Sequence, residues 1–325
     1  MFVNGKPFTV LKTLGKGGSS VVYLAFDESE RILTAIKKVD LSDADEAQAQ
    51  GYLNEITMLK RLQGSEKIVK MYDYEYRKDA DLLFVVMEEG DTDLSKLKKE
   101  ISSNPAKRKS YWIDMLEAVQ VIHKERIIHS DLKPANFLLV KGNLKLIDFG
   151  IASAVQSDKT SVVKDSQMGT FNFMSPEAIE DLSTDDDKPR IKISEKSDIW
   201  SLGCILYHLT YGELPFGKIR MPIKKLEAII NPKHEIEYPD QGHDPDLVDT
   251  IKKCLIRDVN KRASVEELLN HPYVTGSNSE NKNPNTDDLL SKLSLSQLSD
   301  VLTPNTRRGL SRALENLRNR QNEHD

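Results

Sequence analysis

Cysteine is scarce in this chain of 325 residues. Cys204 and Cys254 lie far apart and neither has a CxxC partner, which argues against a disulfide framework or a zinc site and for a reducing compartment. Long apolar runs are missing as well. The stretch 82–87 (LLFVVM) is typical of the longest, far short of the roughly 20 residues that a membrane-spanning helix needs. The opening MFVNGKPFTV holds no apolar signal core, so the expectation is an intracellular chain, neither secreted nor membrane-bound. An excess of one charge is also lacking. Lys and Arg total 46 against 51 Asp and Glu, a net charge of −5, which is too mild and of the wrong sign for an obligate nucleic-acid surface. No internal repeat is visible. What the chain does have is 38% hydrophobic and 30% charged residues, enough for one large two-lobed domain or two ordinary ones.

Residues 7–41 alternate apolar and polar side chains in three runs, with Gly15-Lys16-Gly17-Gly18 between the first two, and read as antiparallel strands. Residues 45–63 change period: Leu53, Ile56, Leu59 and Leu62 recur every three residues as a helical stripe. Strand-like runs follow at 68–76 and 82–89, and Glu88-Glu89-Gly90-Asp91 then breaks the pattern, which places a lobe boundary there. From Leu94 onward the pattern is mostly helical, with buried helices expected at 108–123 and 196–210. Residues 181–190 (DLSTDDDKPR) read as a solvated loop. Beyond Tyr273 the sequence GSNSENKNPNTDD reads as a linker. Spaced leucines and basic residues at 289–320 suggest an amphipathic helix. The expected division is a domain at 1–275, with lobes at about 1–90 and 91–275, and a polar segment at 276–325.

Chemistry concentrates in His129-Ser130-Asp131-Leu132-Lys133-Pro134-Ala135-Asn136, followed by Asp148-Phe149-Gly150. Asp131 can accept the proton of a substrate hydroxyl, while Asn136 and Asp148 can hold magnesium against nucleotide phosphates. Lys133 adds a cation where the transferred phosphoryl group gathers negative charge. His129 is better read as a packing and backbone-orienting residue than as an acid–base group. Upstream, Leu14, Gly15, Lys16, Gly17, Gly18, Ser19, Ser20, Val21 and Val22 form a glycine-rich loop that lets backbone approach phosphates, with Ser20 where a third glycine is usual. Lys37, on the strand after Ala35, is placed to hold the α- and β-phosphates. Glu55 on the next helix is placed to pair with Lys37. Met87 is a core residue that also walls the pocket, and in the strap after it the backbone of Glu88 and Gly90 can bond an adenine edge. Leu138 and Ile147 complete the adenine site.

In this order the parts resemble a eukaryotic protein kinase over residues 8–273. Ser175-Pro176-Glu177 matches the end of the activation segment, Asp198 the helix that anchors the catalytic loop, and Arg262 the late arginine that pairs with Glu177. The resemblance implies an α+β bilobal kinase fold, with an antiparallel sheet in the N-lobe and a mainly helical C-lobe. It also implies ATP and Mg2+ as cofactors and protein substrates. The strings LGKGGSSVVY, IIHSDLKPANFLLV, TSVVKDSQMGT and EAIINPKHEIEYPD are more closely similar to the monopolar-spindle (TTK) dual-specificity kinases. That family implies phosphorylation of Ser and Thr, sometimes Tyr. It implies work in spindle-checkpoint signalling at kinetochores with outer-kinetochore partners, and residence in nucleus, spindle and cytoplasm. Its members usually carry a long N-terminal region, so a catalytic fragment or a shorter relative is expected.

Ser130 stands where many kinases have an arginine that clamps an activation-loop phosphate, and the TTK family shares the serine. Thr160, Ser161 and Ser166 lie in the activation segment, with Thr160 the leading autophosphorylation site by resemblance. Its modification in trans would need transient self-association. Thr170 is placed to bridge Asp131 and Lys133. Two other readings stay open: a catalytically weak kinase-fold scaffold acting through its C-terminal tail, and a small-molecule phosphotransferase. Retention of Lys37, Asp131 and Asp148 weighs against the first, and Ser175-Pro176-Glu177 against the second.

Overall fold

The computed structural model describes residues 1–148, 170–183 and 194–276, and Met1–Gly276 form one compact unit. The chain starts with β1 (Phe2–Val3), β2 (Lys6–Lys16), β3 (Ser20–Asp27) and β4 (Ile32–Asp40), then α1 (Glu46–Arg61), β5 (Met71–Arg77) and β6 (Leu82–Glu88). The strands form one sheet in the order β1-β2-β3-β4-β6-β5, antiparallel throughout. Alternation along the strands gives the sheet two apolar faces. Ile36, Phe84 and Val86 pack with Phe8 on one face, and Val39, Leu83 and Val85 pack against Ile56 of α1 on the other. Lys37 lies in register with Val22 and Val85.

α1 begins where the sequence provides a reciprocal cap. Asp45 accepts the backbone N–H of Gln48 at 2.9 Å, and the Gln48 side chain accepts that of Asp45 at 3.3 Å. Ile56 and Leu59 are buried, whereas Leu53, expected on the core face, is only half-buried and belongs to no core cluster. The fifth strand starts later than expected. Ile68 instead makes one parallel bridge to Leu146, so the run splits between the sheet and the second lobe.

The rest of the described residues are mainly helical around a short sheet of β7 (Thr92–Asp93), β8 (Phe137–Val140) and β9 (Asn143–Leu146), which periodicity did not reveal. The helices are α2 (Lys98–Ser102), α3 (Pro105–Lys124), α4 (Pro176–Ser183), α5 (Glu195–Tyr211), α6 (Pro222–Ile230), α7 (Pro245–Cys254), α8 (Val265–Leu269) and α9 (Pro272–Thr275). α3 starts ahead of the expected 108, because Asn104 caps Lys107 N–H and Pro105 sits at the first helical position. α4 runs through Ser183, so the expected loop at 181–190 begins inside a helix; its residues 184–190 lie outside the described residues. α5 is buried almost all round, with Trp200 fully enclosed, and it forms the axis of the helical lobe. Both cysteines are buried thiols. No helix among the described residues is long and apolar enough to cross a membrane. The amphipathic segment expected at 289–320 lies outside the described residues.

Candidate active site

Lys37 shares the α1-facing side of β4 with Val39, and this orientation brings its amine to two carboxylates. Nζ lies 2.7 Å from Asp148 Oδ1 and 3.7 Å from Glu55 Oε1. Burial alone would lower the lysine's pKa. The charges of Asp148 and then Glu55 outweigh it and hold the amine above its ordinary range. The Asp148 carboxyl is held below the ordinary carboxylate range, first by the Lys37 charge acting against burial. Both groups are therefore ionised at neutral pH. Asp148 has φ 46°, a conformation uncommon for a side-chain-bearing residue. The residue before it is pinned by a 2.8 Å bond from Ile147 N–H to the Asn136 carbonyl.

The catalytic loop is braced from below by one carboxylate. Asp198 on α5 is fully buried and accepts the backbone N–H groups of His129 and Ser130, each at 2.9 Å; its Oδ2 also lies 2.8 Å from His123 Nε2. Ser130 is thereby held at φ 67°. His129 is buried, and its Nδ1 accepts the Asp131 N–H at 3.3 Å, the orienting contact expected of it. Lys133 Nζ lies 2.6 Å from Asp131 Oδ2. Asn136 is buried, and its Oδ1 accepts the Lys133 N–H at 3.0 Å, which fixes the amide within the loop.

Facing this loop, β2 and β3 pair Gly15 with Val22 and Lys16 with Val21. The turn closes with a 2.7 Å bond from Gly17 N–H to the Ser20 carbonyl. A Cβ at Gly17 would meet Ser20 Oγ at 2.9 Å, so a larger residue there would make the Ser20 side chain turn away. Leu14 at the entry is exposed. At the back, Ala35 is in register with Met87. Met87 lines a cavity with Lys37, Tyr52, Glu55, Val85 and Asp148, so it both packs in the core and walls the pocket. Beyond it, a Cβ on Gly90 would overlap the Leu138 side chain, so this glycine lets the strap lie directly on β8.

Two residues at the site escaped the sequence reading. Tyr52 lies one turn before Glu55 on α1, and its hydroxyl is 2.9 Å from the Ser19 hydroxyl. Lys145 on β9 reaches Glu88 Oε1 at 2.7 Å, and the same oxygen accepts the Lys70 N–H at 2.7 Å. The first strap residue is thus tied to both lobes through its side chain. Farther out, Arg262 grips Glu177 with two bonds of 2.7 and 3.0 Å in full burial, and Ser197 donates to the same carboxylate at 2.8 Å. Thr170 opens a short turn at Thr170–Asn172, but its side chain, with Thr160, Ser161 and Ser166, lies outside the described residues.

Comparison with known families gives this architecture its class. The protein kinase domain matches residues 8–274, and the chain belongs to that family. It is 53% identical over 276 residues to the dual specificity protein kinase TTK of Mus musculus, covering 84% of this chain and 32% of that protein. The serine/threonine-protein kinase mph1 of Schizosaccharomyces pombe is 45% identical over 291 residues, with 82% of this chain and 42% of that protein covered. The serine/threonine-protein kinase MPS1 of Saccharomyces cerevisiae is 35% identical over 286 residues, which are 84% of this chain and 37% of that protein. The chain thus spans well under half the length of these relatives.

Proposed function

We propose that this chain transfers the γ-phosphoryl group of ATP to Ser and Thr hydroxyls of proteins, and to Tyr hydroxyls as a dual-specificity enzyme. The observation that carries the reading is Lys37 held between Glu55 and Asp148, in the same cavity that Met87 walls. Protein kinases use ATP with magnesium. The oxygen donors Asn136 and Asp148 suit that hard cation, and no cluster of three or more His, Cys, Asp or Glu among the described residues suggests a different metal. When bound, magnesium neutralises charge between the phosphates.

The chain's own residues do the rest by positioning and charge. Lys37 orients the α- and β-phosphates. Backbone of the loop from Leu14 to Val22 covers them. Ala35, Leu138 and Ile147 sandwich the adenine, while Glu88 and Gly90 present strap backbone to its edge. Asp131 orients the attacking hydroxyl and takes its proton, and Lys133, already beside Asp131, offsets charge on the transferring group. By family resemblance the substrates are outer-kinetochore and spindle-checkpoint proteins, and the enzyme autophosphorylates on Thr160.

The test is transfer from ATP-Mg to a generic protein substrate, with Asp131→Asn as control and phosphoamino-acid analysis of both substrate and enzyme. Transfer by the wild type alone, on Ser and Thr with label also in the enzyme, supports the reading, and a Tyr signal supports dual specificity. No transfer above the Asp131→Asn control overturns it in favour of a scaffold.

A further inference from the structure

α1 belongs to both lobes. Ile56 packs against the sheet, whereas Leu59 and Leu62, at the end of the helix, join Ile68, Val69 and Met115 in the core of the helical lobe. Gln63, just past the helix, ties that end to the chain that follows. Its amide donates to the Leu59 and Val69 carbonyls at 3.0 and 3.1 Å and accepts the Met71 N–H at 2.8 Å. The same stretch of chain is stitched to β9, the strand that leads into Asp148. Leu146 N–H donates to the Lys67 carbonyl at 2.8 Å, and Val69 N–H donates to the Leu146 carbonyl at 3.0 Å.

One carboxylate closes this junction from a third side. Asp114 on α3 is 8% exposed. Its Oδ1 accepts Lys67 Nζ at 2.6 Å, and its Oδ2 accepts the Leu144 N–H of β9 at 3.2 Å. Glu117, one turn further along α3, lies 2.6 Å from the same amine. Burial alone would lower the Lys67 pKa, but the bonds to Asp114 and Glu117 outweigh it and raise it, so the amine is charged at neutral pH.

Apolar packing is not directional, and by itself it would let the end of α1 slide on the core. Short charge-assisted bonds fix a position. With Lys67 held between Asp114 and Glu117, the end of α1 and β9 keep one spacing. That spacing sets how far Glu55 on α1 stands from Asp148 beyond β9. Lys37 lies between those two carboxylates, 3.7 Å from Glu55 and 2.7 Å from Asp148. The Glu55 contact is the longer one, so a small shift of α1 breaks it first.

We propose that Lys67, clamped by Asp114 and Glu117, is a positioning residue for phosphoryl transfer: it acts through α1 and keeps Glu55 on Lys37. Its consequence for rate rests on the kinase reading, whereas the placement of α1 does not.

Two measurements on the full chain test this, and the first reads placement alone. Nitroxide labels are attached at Asn54→Cys on α1 and Lys252→Cys on α7, both exposed positions, while the native cysteines are buried. The distance between the labels is taken by electron–electron double resonance. Lys67→Met should shift or broaden the distance distribution, and Lys67→Arg, which restores a cation, should return it to the wild-type form. A distribution unchanged by Lys67→Met would overturn the proposal. If Lys67→Met does not fold, Lys67→Gln, which keeps a donor and removes the charge, decides in its place.

The second measurement reads the path to Glu55. Lys67→Met should lower kcat/KM for ATP about fivefold or more in the otherwise wild-type chain, and by less than about twofold in the Glu55→Gln background, where the contact it protects is already gone. Equal losses in both backgrounds would overturn the proposal and leave the clamp a matter of stability only. No transfer by the wild type above the Asp131→Asn control would overturn the kinase reading instead, and the label distances would then decide the placement of α1 by themselves.

Discussion

Ser19 in the glycine-rich turn and Tyr52 on α1 share a hydroxyl–hydroxyl bond of 2.9 Å. The same turn is held on its other side by a 2.7 Å bond from Asp40 N–H to the Ser19 carbonyl. The loop proposed to cover the phosphates is therefore fastened both to β4, which carries Lys37, and to α1, which carries Glu55. A shift of α1 would move the loop and the lysine's partner together.

Tyr52→Phe removes the hydroxyl and keeps the ring against the cavity. A net hydrogen bond is worth about 1 kcal/mol, or roughly fivefold in an equilibrium constant. KM for ATP should rise by up to that factor, with stability lowered by no more than about 1 kcal/mol. Steady-state kinetics with varied ATP checks this, and an unaltered KM would show that the bond does not position the loop.

Lys145 and Glu88 form a pair that is nearly buried on both sides, with side-chain exposures of 11% and 12%. Lys145→Met leaves the Glu88 carboxylate with the Lys70 N–H and little else, and breaking a buried pair in this way costs about 3 kcal/mol. The expected result is a lower melting temperature together with a KM for ATP raised about 3- to 10-fold, since the strap loses its tie to β9. A loss of stability with KM unchanged would make the pair structural only.

The chemistry was legible in the sequence because phosphoryl transfer demands particular residue types at short spacings. Lys37, Glu55, Asp131 and Asp148 could be named from their strings, and the structure brings Lys37 within 2.7 Å of Asp148 across 111 positions of chain. The larger strands and helices were legible from period, but β1 and β7 are two residues each, too short to show one. The start of α3 was written in Asn104-Pro105, a cap signal that the apolar pattern overshadowed. Tyr52 and Lys145 could not be found by motif, because their roles come from which strand end or turn lies opposite, and tertiary packing decides that.

Glu177 makes a pH prediction. Burial tends to raise its pKa, but the Arg262 bonds and charge, with help from Ser197, outweigh this and hold it below the ordinary 4.5. A depressed folded-state pKa means stabilisation that is complete above pH 4.5 and is lost as pH falls through the folded value. Glu177→Gln leaves the fully buried Arg262 uncompensated, so the variant should be about 3 kcal/mol less stable at pH 7. Denaturant melts of both proteins from pH 7 to pH 3 should show a constant gap down to about pH 4.5 that narrows below it. A gap that widens in acid would reverse the assignment.

The two activation-segment threonines should differ. Thr170, proposed to bridge Asp131 and Lys133, would act in every turnover, whereas a phosphate on Thr160 would act by ordering the loop through a cation other than residue 130, which is serine. Thr170→Ala should lower kcat by about 10²-fold, and Thr160→Ala should slow the enzyme by less. The reverse order in a side-by-side kinetic comparison would sink both roles.

Asp198 tests whether the catalytic loop works by position. Its two oxygens accept the His129 and Ser130 N–H groups, with His123 at 2.8 Å, and it touches neither Asp131 nor Lys37. Asp198→Asn keeps the shape but turns one acceptor into a donor facing a backbone N–H, so one of the two loop bonds must break. The left-handed turn at Ser130 then loses its hold and Asp131 shifts. A misplacement of about 1 Å costs about 10²-fold in rate. The expected result is kcat down by about that factor with KM for ATP within twofold, because Lys37, Glu55 and the strap are untouched. If kcat and KM for ATP change together, Asp198 supports the lobe as a whole; if neither changes, the loop holds its shape without it.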